Sequence, residues 1–361
     1  MDVLSDTLRV VRLTGAIFLN IRLEAPWAIE SEPPELLARY LRLPTDCLAL
    51  FHILTHGEGW FCVPGYEPVL LKPGDAILLP HCALHVMSSD RRTGLSPTLM
   101  RYLLPPQAPE GILEIKENDS GKGTQFICGY LHCDQRFNPL IGALPPLIVV
   151  HTHHDEGTGA AAPLRAADGA VAPVLPISSG DWLGTTLRQM IEEARDERPG
   201  GADMLARLSE LLYVEMVRRY MRSLTPADHG WLAGVRDPIV GQALRLLHAQ
   251  PERDWTVEEL ADAVAVSRST LAQRFTAQIG ETPIRYLAGW RIQLAKRLLK
   301  ETDLRLAEIA ERVGYTSEAA FNRAFKRHVG WPPATWRAAG ESQRDTAYAS
   351  VTRALAATGY E

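Results

Sequence analysis

The sequence predicts an α+β multidomain protein, with a small β-barrel first, a helical pair next and an all-α domain with two helix-turn-helix units last. Residues 9–150 contain short β-rich runs broken by Gly, Pro and Asp, which is typical of an antiparallel barrel or jelly roll. Residues 182–224 show apolar side chains at helical spacing, and residues 256–333 contain one pattern twice. A chain of 361 residues that is 46% hydrophobic can bury a core in each of these parts.

One hairpin motif supports the predicted barrel. The run LKPGDAILLPHCALHVM places Gly74 and Asp75 at a hairpin between two apolar segments. This run resembles the second half-motif of the cupin fold, and the resemblance places His85 at the usual position of a metal ligand. We therefore expect a cupin-like β-barrel over residues 1–154.

Four residues of this barrel are candidates for an effector pocket: His52, His56, Glu58 and His85. Imidazole and carboxylate groups could also bind a metal. The cupin metal pattern, however, has His-x-His followed by a glutamate several residues later, and HILTHGE has a different spacing. We expect no catalytic residues, no bound metal and no cofactor, and His85 is either a polar pocket residue or a satisfied barrel histidine.

Three cysteines of the same region, Cys82, Cys128 and Cys133, support an alternative in which the barrel senses oxidants. Each lies close in sequence to a histidine that could lower its pKa, and the run HTHHD at residues 151–155 could add Zn²⁺ ligands. Buried cysteines, however, often serve as small hydrophobes, and residues five apart in a strand point to opposite faces. Five cysteines without regular spacing fit a reducing compartment.

The middle of the chain predicts an insert followed by two amphipathic helices. Residues 155–181 are rich in Ala, Gly and Pro without periodicity, which indicates a flexible insert. In the second helix Leu205, Leu208, Leu212 and Met216 recur at three- and four-residue intervals. This helix either packs on its own domain or forms a dimer interface, and its stripe is too short for a coiled coil.

The repeated pattern occupies residues 256–283 and 305–333, at an offset of 50. In each copy a short apolar helix precedes a tight turn, and Ser267 or Ser317 is in position to cap the next helix. Residues 283–303 predict one long helix between the copies. Such a spacer lets two helices enter successive major grooves, about 34 Å apart.

The exposed face of each second helix predicts contacts with DNA. Arg and Asn side chains can pair with the edges of guanine and adenine in the major groove, whereas Lys326, Arg327 and Arg291 are predicted phosphate contacts. The alternative is that these are ordinary solvated helix residues. The candidate DNA-binding residues are Ser267, Arg268, Ser269, Thr270, Gln273, Arg274, Arg291, Ser317, Glu318, Asn322, Arg323, Lys326 and Arg327.

Charge agrees with this assignment. Residues 236–340 carry 16 Lys and Arg against 12 Asp and Glu, a net charge of +4, whereas the rest of the chain carries 22 against 31, which leaves −5 overall. A basic domain supplies the salt-dependent attraction to phosphates but not the sequence preference.

Residues 238–338 resemble the DNA-binding domain of the AraC/XylS family of bacterial transcription regulators. The resemblance rests on LADAVAVSRSTLAQRF, GETPIRYLAGWRIQLAKRLL and IAERVGYTSEAAFNRAFKRHVGWPPATWR, with Trp336 where the family usually has a tyrosine. The segments APWAIE, FHILTHGEGWFCVPG and CGYLHCDQRFNPLIGALPPLIVV resemble the cupin-type sensor domain that a subset of AraC-type regulators carries. The resemblance implies RNA polymerase as a partner.

Six segments follow from these patterns. They are a cupin-like sensor domain (1–154), the flexible insert (155–181), a helical pair that is a candidate for dimerisation (182–224), a linker (225–237), the double helix-turn-helix domain (238–340) and a C-terminal tail (341–361).

The predicted function is a sequence-specific DNA-binding transcription regulator, an activator, controlled by a small effector or an oxidant that the cupin-like domain senses. The alternative is a cupin metalloenzyme with an accessory DNA-binding domain. Expected partners are double-stranded DNA, an unidentified small effector, RNA polymerase and a second copy of the chain. With no run of about 18 apolar residues and no secretory signal, we expect a cytoplasmic protein and not a membrane protein.

Overall fold

The computed structural model describes residues 2–10, 13–41, 48–91, 96–105, 112–117, 123–133, 139–152, 164–166, 171–177, 181–196, 198–225 and 227–339. The chain divides into two compact units. The sensor unit comprises Leu13–Arg136 and Leu144–Ser223, and the DNA-binding unit comprises Met1–Arg12, Phe137–Ala143 and Leu224–Glu361.

The strands belong to the sensor unit. In chain order they are β1 (Leu13–Leu23), β2 (Ala28–Glu30), β3 (Leu48–His56), β4 (Gly59–Cys62), β5 (Val69–Leu71), β6 (Ala76–Leu79), β7 (Val86–Ser88), β8 (Thr98–Leu99), β9 (Leu113–Glu117), β10 (Thr124–Cys133), β11 (Ile148–His151), β12 (Leu164–Arg165), β13 (Val171–Ala172) and β14 (Val174–Pro176). The helices are α1 (Val3–Val10), α2 (Pro34–Leu41), α3 (Pro139–Gly142), α4 (Trp182–Asp196), α5 (Gly201–Ser223), α6 (Trp231–Arg236), α7 (Val240–Ala249), α8 (Val257–Ala263), α9 (Arg268–Ile279), α10 (Pro283–Glu301), α11 (Leu306–Arg312), α12 (Glu318–Val329) and α13 (Pro333–Ala338).

Twelve of the described strands form two large sheets in the sensor unit. The larger runs β14-β11-β6-β3-β10-β1-β9, and the smaller runs β5-β4-β7-β2-β8. Leu50 of the larger sheet and Phe61 and Met87 of the smaller lie in one buried apolar cluster, so the sheets share a core. The predicted sheet-rich, cupin-like domain is confirmed, although hydrogen bonds join its described strands into two main sheets and not into one closed barrel.

Helices α4 and α5 are part of the sensor unit. The α5 helix packs on β1, where a Cβ at Gly15 would lie 2.9 Å from Cβ of Ser209, so glycine permits the close approach. Arg219 of α5 bonds both Asp181, just before α4, and Glu215. The side chains of Leu205, Leu212 and Met216 are buried, as the spacing predicts, whereas Leu208 is half-buried.

The segment predicted as a flexible insert contains regular structure. Strand β14 pairs in parallel with β11, with Val149 opposite Val174, and β12 pairs with β13. Residues 155–163, 167–170 and 178–180 lie outside the described residues, as do three of the five residues of HTHHD.

The DNA-binding unit begins at the N-terminus of the chain. The α1 helix packs on α7 and α10, with Val3, Leu4, Thr7 and Val10 buried. The packing of α1 on helices some 230 residues away is a non-local contact that the sequence pattern over residues 1–154 does not indicate.

Among the helices that the structure describes, none is long and apolar enough to cross a membrane.

Candidate nucleic-acid interface and sensor site

The first helix-turn-helix consists of α8 and α9. Thr256 and Glu259 form a reciprocal capping box at the start of α8. The chain then turns through Ala265, whose φ of 57° is left-handed. Ser267 caps α9 by accepting a 3.1 Å hydrogen bond from the Thr270 N–H, as predicted. The sequence therefore begins α9 at a defined residue.

The second helix-turn-helix, α11 and α12, repeats this geometry. Gly314 occupies the turn with a φ of 84°, and Ser317 accepts a 3.2 Å hydrogen bond from the Ala320 N–H. Phe321 and Phe325 are fully buried, as are Leu271 and Phe275 at the equivalent positions of α9. Each second helix thus points its aromatic face into the core and its other face outward.

The outward faces carry most of the residues predicted to contact DNA. Asn322 is half-exposed, and the exposed candidates are Ser267, Arg268, Ser269, Thr270, Gln273 and Arg274 on α9 and Ser317, Glu318, Arg323, Lys326 and Arg327 on α12. The Ser267 hydroxyl also bonds the hydroxyls of Ser269 and Thr270, at 3.0 and 2.7 Å. The serine and threonine hydroxyls at the start of α9 therefore hydrogen-bond one another and cap the helix.

The two helices differ in how many of their arginines are paired. Arg268 forms a 2.8 Å ion pair with Glu258, and Arg274 one of 2.7 Å with Asp237. On α12, Arg323 and Lys326 form no ion pair with any residue that the structure describes. The cations of α12 are therefore the more available for phosphates and bases.

Asp237 joins the start of α7 to α9. It accepts hydrogen bonds from the Ile239 and Val240 N–H groups at 2.9 Å, in addition to the contact with Arg274. Partial burial raises the pKa of this carboxyl, but the hydrogen bonds outweigh burial, and the net pKa lies below its ordinary value.

Arg291, a predicted phosphate contact, also makes bonds within the DNA-binding unit. Its Nε donates to the Pro251 carbonyl at 2.6 Å and its Nη2 to the Arg253 carbonyl at 2.8 Å. The guanidinium also lies 5.7 Å from the Tyr315 ring centre. These contacts tie α10 to the loop after α7.

A buried polar network lies beneath the first helix-turn-helix. The Tyr286 hydroxyl accepts from Trp231 Nε1 at 3.0 Å and shares a 2.8 Å hydrogen bond with His248 Nε2. The His248 ring stacks on Trp290 at 3.9 Å between centres. Burial lowers the pKa of His248 to about 3, so this imidazole is neutral at physiological pH.

In the sensor unit the structure brings together two of the four effector-pocket candidates. His52 and His85 are buried, with ring centres 4.7 Å apart, and His85 stacks on Phe61 at 4.8 Å. His52 Nδ1 lies 3.0 Å from Cys128 Sγ. Burial lowers the pKa of His52 well below its ordinary value and that of His85 to about 4, so both are neutral.

The other two candidates lie elsewhere. His56 ends β3 and Glu58 lies in the turn after it, and both side chains are exposed. His52 precedes His56 by four strand residues, about 13 Å along the strand. Among the residues that the structure describes, no three His, Cys, Asp or Glu side chains form a cluster suited to a metal.

The cysteines do not resemble activated thiols. Cys128 is fully buried, and burial raises its pKa. Cys82 is buried at a left-handed φ of 51°, and burial raises its pKa to about 12. The Cys133 side chain lies outside the described atoms. A thiol with a raised pKa is protonated and reacts slowly with oxidants.

Comparisons with known proteins agree with this geometry. Residues 2–171 and 169–222 match the cupin family, and residues 260–339 match a helix-turn-helix domain family. An AraC-like transcription regulator of Streptomyces lividans is 31% identical over 93% of this chain and 98% of that protein. The transcriptional regulator AlkR of Acinetobacter baylyi is 30% identical over 93% of this chain and 99% of that protein.

A solved structure matches a smaller share of the chain. The DNA-binding domain of AdpA, in complex with a target DNA, is 34% identical and covers 30% of this chain and 96% of that chain, with a TM-score of 0.28. The full-length relatives are transcription regulators, which favours regulation over the metalloenzyme alternative. With a cupin-type domain followed by two capped helix-turn-helix units, the chain belongs to the AraC-like family of transcription regulators.

Proposed function

We propose that this AraC-like regulator reads DNA through the exposed faces of α9 and α12, and that a small molecule bound by the cupin-type unit changes this binding. The observation that carries the proposal is the exposed face of α12, where Arg323 and Lys326 project opposite a buried aromatic face without an ion pair among the described residues. In this proposal Arg323 and Asn322 read bases, whereas Lys326 and Arg327 contact phosphates.

Selection of bound DNA from a random library tests the proposal, with the full chain at a stated salt concentration. We expect two short conserved boxes about one helical turn apart. If the selection enriches no sequence above the level of non-specific binding, the assignment of α9 and α12 is overturned.

The Arg323→Ala variant then separates base reading from phosphate contact. If Arg323 reads a guanine, its loss costs about 1–3 kcal/mol on the selected site and relaxes the preference at one base pair. Arg39→Ala is a matched control, because it removes an exposed arginine of the sensor unit that lies outside α5. A uniform loss on every sequence would make Arg323 a phosphate contact.

The signal is proposed to be a small effector and not an oxidant. The support is that the two described cysteine candidates, Cys82 and Cys128, are buried and have raised pKa values. Alkylation with iodoacetamide, followed by mass spectrometry of the native chain, should leave both largely unmodified at pH 7. Rapid modification of Cys128, or a change in DNA affinity after mild peroxide that Cys128→Ser removes, would favour oxidant sensing.

A homodimer through α5 is proposed from its apolar outer surface. Met204 and Leu211 are both 49% exposed and lie two turns apart, on one face of the helix. Sedimentation should show a dimer that Leu211→Glu dissociates, whereas Arg39→Glu, at an exposed position of α2 in the same unit, leaves it intact. A monomer at all concentrations would overturn the dimer and not the DNA-binding proposal.

Activation is proposed to proceed through contact with RNA polymerase. Transcription in vitro from a promoter that carries the selected site should increase with the full chain. A decrease would make the protein a repressor.

A further inference from the structure

Helices α9 and α12 have different side chains at the same outermost position. Successive side chains of an α-helix are about 100° apart, so a residue two positions after one buried residue and two before another points away from both. Gln273 has this place on α9, between the buried Leu271 and Phe275. Arg323 has the equivalent place on α12, at the repeat offset of 50. Both side chains are exposed.

The outward faces of the two helices differ in charge as well. On α9, Thr276 and Ala277 follow next along this face, and both are exposed and uncharged. The equivalent positions of α12 are Lys326 and Arg327, which are also exposed. Together with Arg323 they give α12 three cations at positions where α9 has neutral side chains. Attraction to phosphates is therefore concentrated on α12, whereas the outward face of α9 is suited to base edges.

The other candidate side chains of α9 are bonded within the chain. The three hydroxyl residues at the start of the helix hydrogen-bond one another. Arg268 forms its ion pair with Glu258. Arg274 lies on the flank of the helix, where it pairs with Asp237 at 2.7 Å. The Gln273 amide, in contrast, forms no hydrogen bond with any residue that the structure describes, so both its donor and its acceptor are available.

The amide and the guanidinium group recognise different bases. Glutamine can pair with both N6 and N7 of adenine in the major groove, whereas arginine can donate to both O6 and N7 of guanine. We propose that Gln273 reads an adenine in the box bound by α9, at the position equivalent to the guanine that Arg323 reads in the box bound by α12. The inference rests on the proposed function, because it assigns a base to each helix. The two boxes therefore differ in sequence, and the chain binds its site in one orientation.

Exchange of the two side chains tests the proposal, by selection of bound DNA with the full chain and its variants. For the natural chain we expect a conserved adenine in one box and a conserved guanine in the other. Gln273→Arg should replace the adenine by guanine and leave the second box unchanged. Arg323→Gln should replace the guanine by adenine and leave the first box unchanged.

Gln273→Ala gives a second readout that requires no new contact. Alanine is a good helix former at an exposed position, so the fold is retained. The natural chain should bind a site with the adenine replaced about 5- to 150-fold more weakly than the selected site, and Gln273→Ala should bind the two sites equally. The slope of log affinity against log salt should be the same for both proteins, because the amide carries no charge.

Two controls separate base reading from other effects. Arg274→Ala removes the neighbouring side chain, which is paired with Asp237, and should keep the preference for adenine. Gln250→Arg, at an exposed position at the end of α7, adds the same charge outside α9 and should change neither box.

Three results would overturn the proposal. They are the same base at the equivalent position of both boxes, a preference for adenine that persists in Gln273→Ala, and a preference that Arg274→Ala removes. Failure of the proposed function looks different, because the natural chain then enriches no sequence at all. Failure of the base assignment alone leaves both boxes in place.

Discussion

At the scale of single residues, the two copies of the DNA-binding motif have different residues at the equivalent position of the turn. Ala265 and Gly314 both have left-handed φ values, but only glycine adopts that region without strain. A Cβ at Gly314 would also lie 2.7 Å from both Arg291 Nη2 and Glu252 Cα. The second turn therefore depends on glycine for two reasons.

We expect Gly314→Ala to lower the free energy of unfolding by about 2 kcal/mol or more, from backbone strain together with overpacking against the Glu252 backbone. Ala265→Gly should change it by less than about 1 kcal/mol and in the stabilising direction, because relief of strain is offset by unfolded-state entropy. Urea unfolding of both variants measures this. Equal effects at the two turns would contradict the difference in crowding.

His248 predicts how stability responds to pH. Its pKa is about 3 in the folded chain and about 6.5 when unfolded, so the unfolded state binds the extra proton between those values. The contribution of neutral His248 to the free energy of unfolding should therefore be fully present above pH 6.5. It should fall by about 1.4 kcal/mol per pH unit as the pH decreases towards 3. His248→Gln should reduce the slope of unfolding free energy against pH by one proton. An unchanged slope between pH 6.5 and 4 would mean that His248 titrates normally.

At the scale of elements, α1 packs on helices that lie far away in sequence, within the DNA-binding unit. Its apolar side chains at positions 3, 4 and 10 are buried on α7 and α10. Leu4→Ala should destabilise the DNA-binding unit by about 2–4 kcal/mol, whereas Arg9→Ala, at a side chain that is 59% exposed, should have little effect. Hydrogen exchange of α7 peptides measures this. Unchanged protection in Leu4→Ala would show that α1 is not part of that unit.

Elements with local signals were predictable from the sequence. The spacer helix, predicted over 283–303, is α10 at Pro283–Glu301, and both serine caps are where the spacing places them. These features depend on hydrogen bonds and apolar spacing within about 30 residues. The chain itself contains the necessary information at those positions.

Non-local pairings were not predictable. The partner of α1 lies some 230 residues away, and β14 pairs with a strand on the far side of an Ala- and Gly-rich segment. The exposed position of His56 and the internal bonds of Arg291 depend in the same way on residues distant in sequence. Sequence spacing does not show that His56 is exposed whereas His52 is buried. It also does not show that Arg291 makes internal bonds whereas Lys326 makes no ion pair among the described residues.

At the scale of the whole molecule, charge is divided between regions of opposite sign. A chain with a net charge of −5 carries +4 over residues 236–340, so its attraction to DNA is local. Binding should therefore weaken steeply with salt. Lys326→Gln should reduce the slope of log K against log salt by about 0.9. The control Lys116→Gln, in the sensor unit, should not alter the slope. If Lys326→Gln also leaves the slope unaltered, Lys326 does not contact a phosphate.

The docking of α1 also governs the order in which the chain can fold during synthesis. Residues 3–10 leave the ribosome well before α7 and α10, against which they pack and which extend from Val240 to Glu301. At roughly 5–20 residues per second, the nascent chain exposes this short apolar helix for about 10–50 s before its partners emerge. The residues of the sensor unit emerge during that interval, so the DNA-binding unit can be completed only after the whole sensor unit has been synthesised.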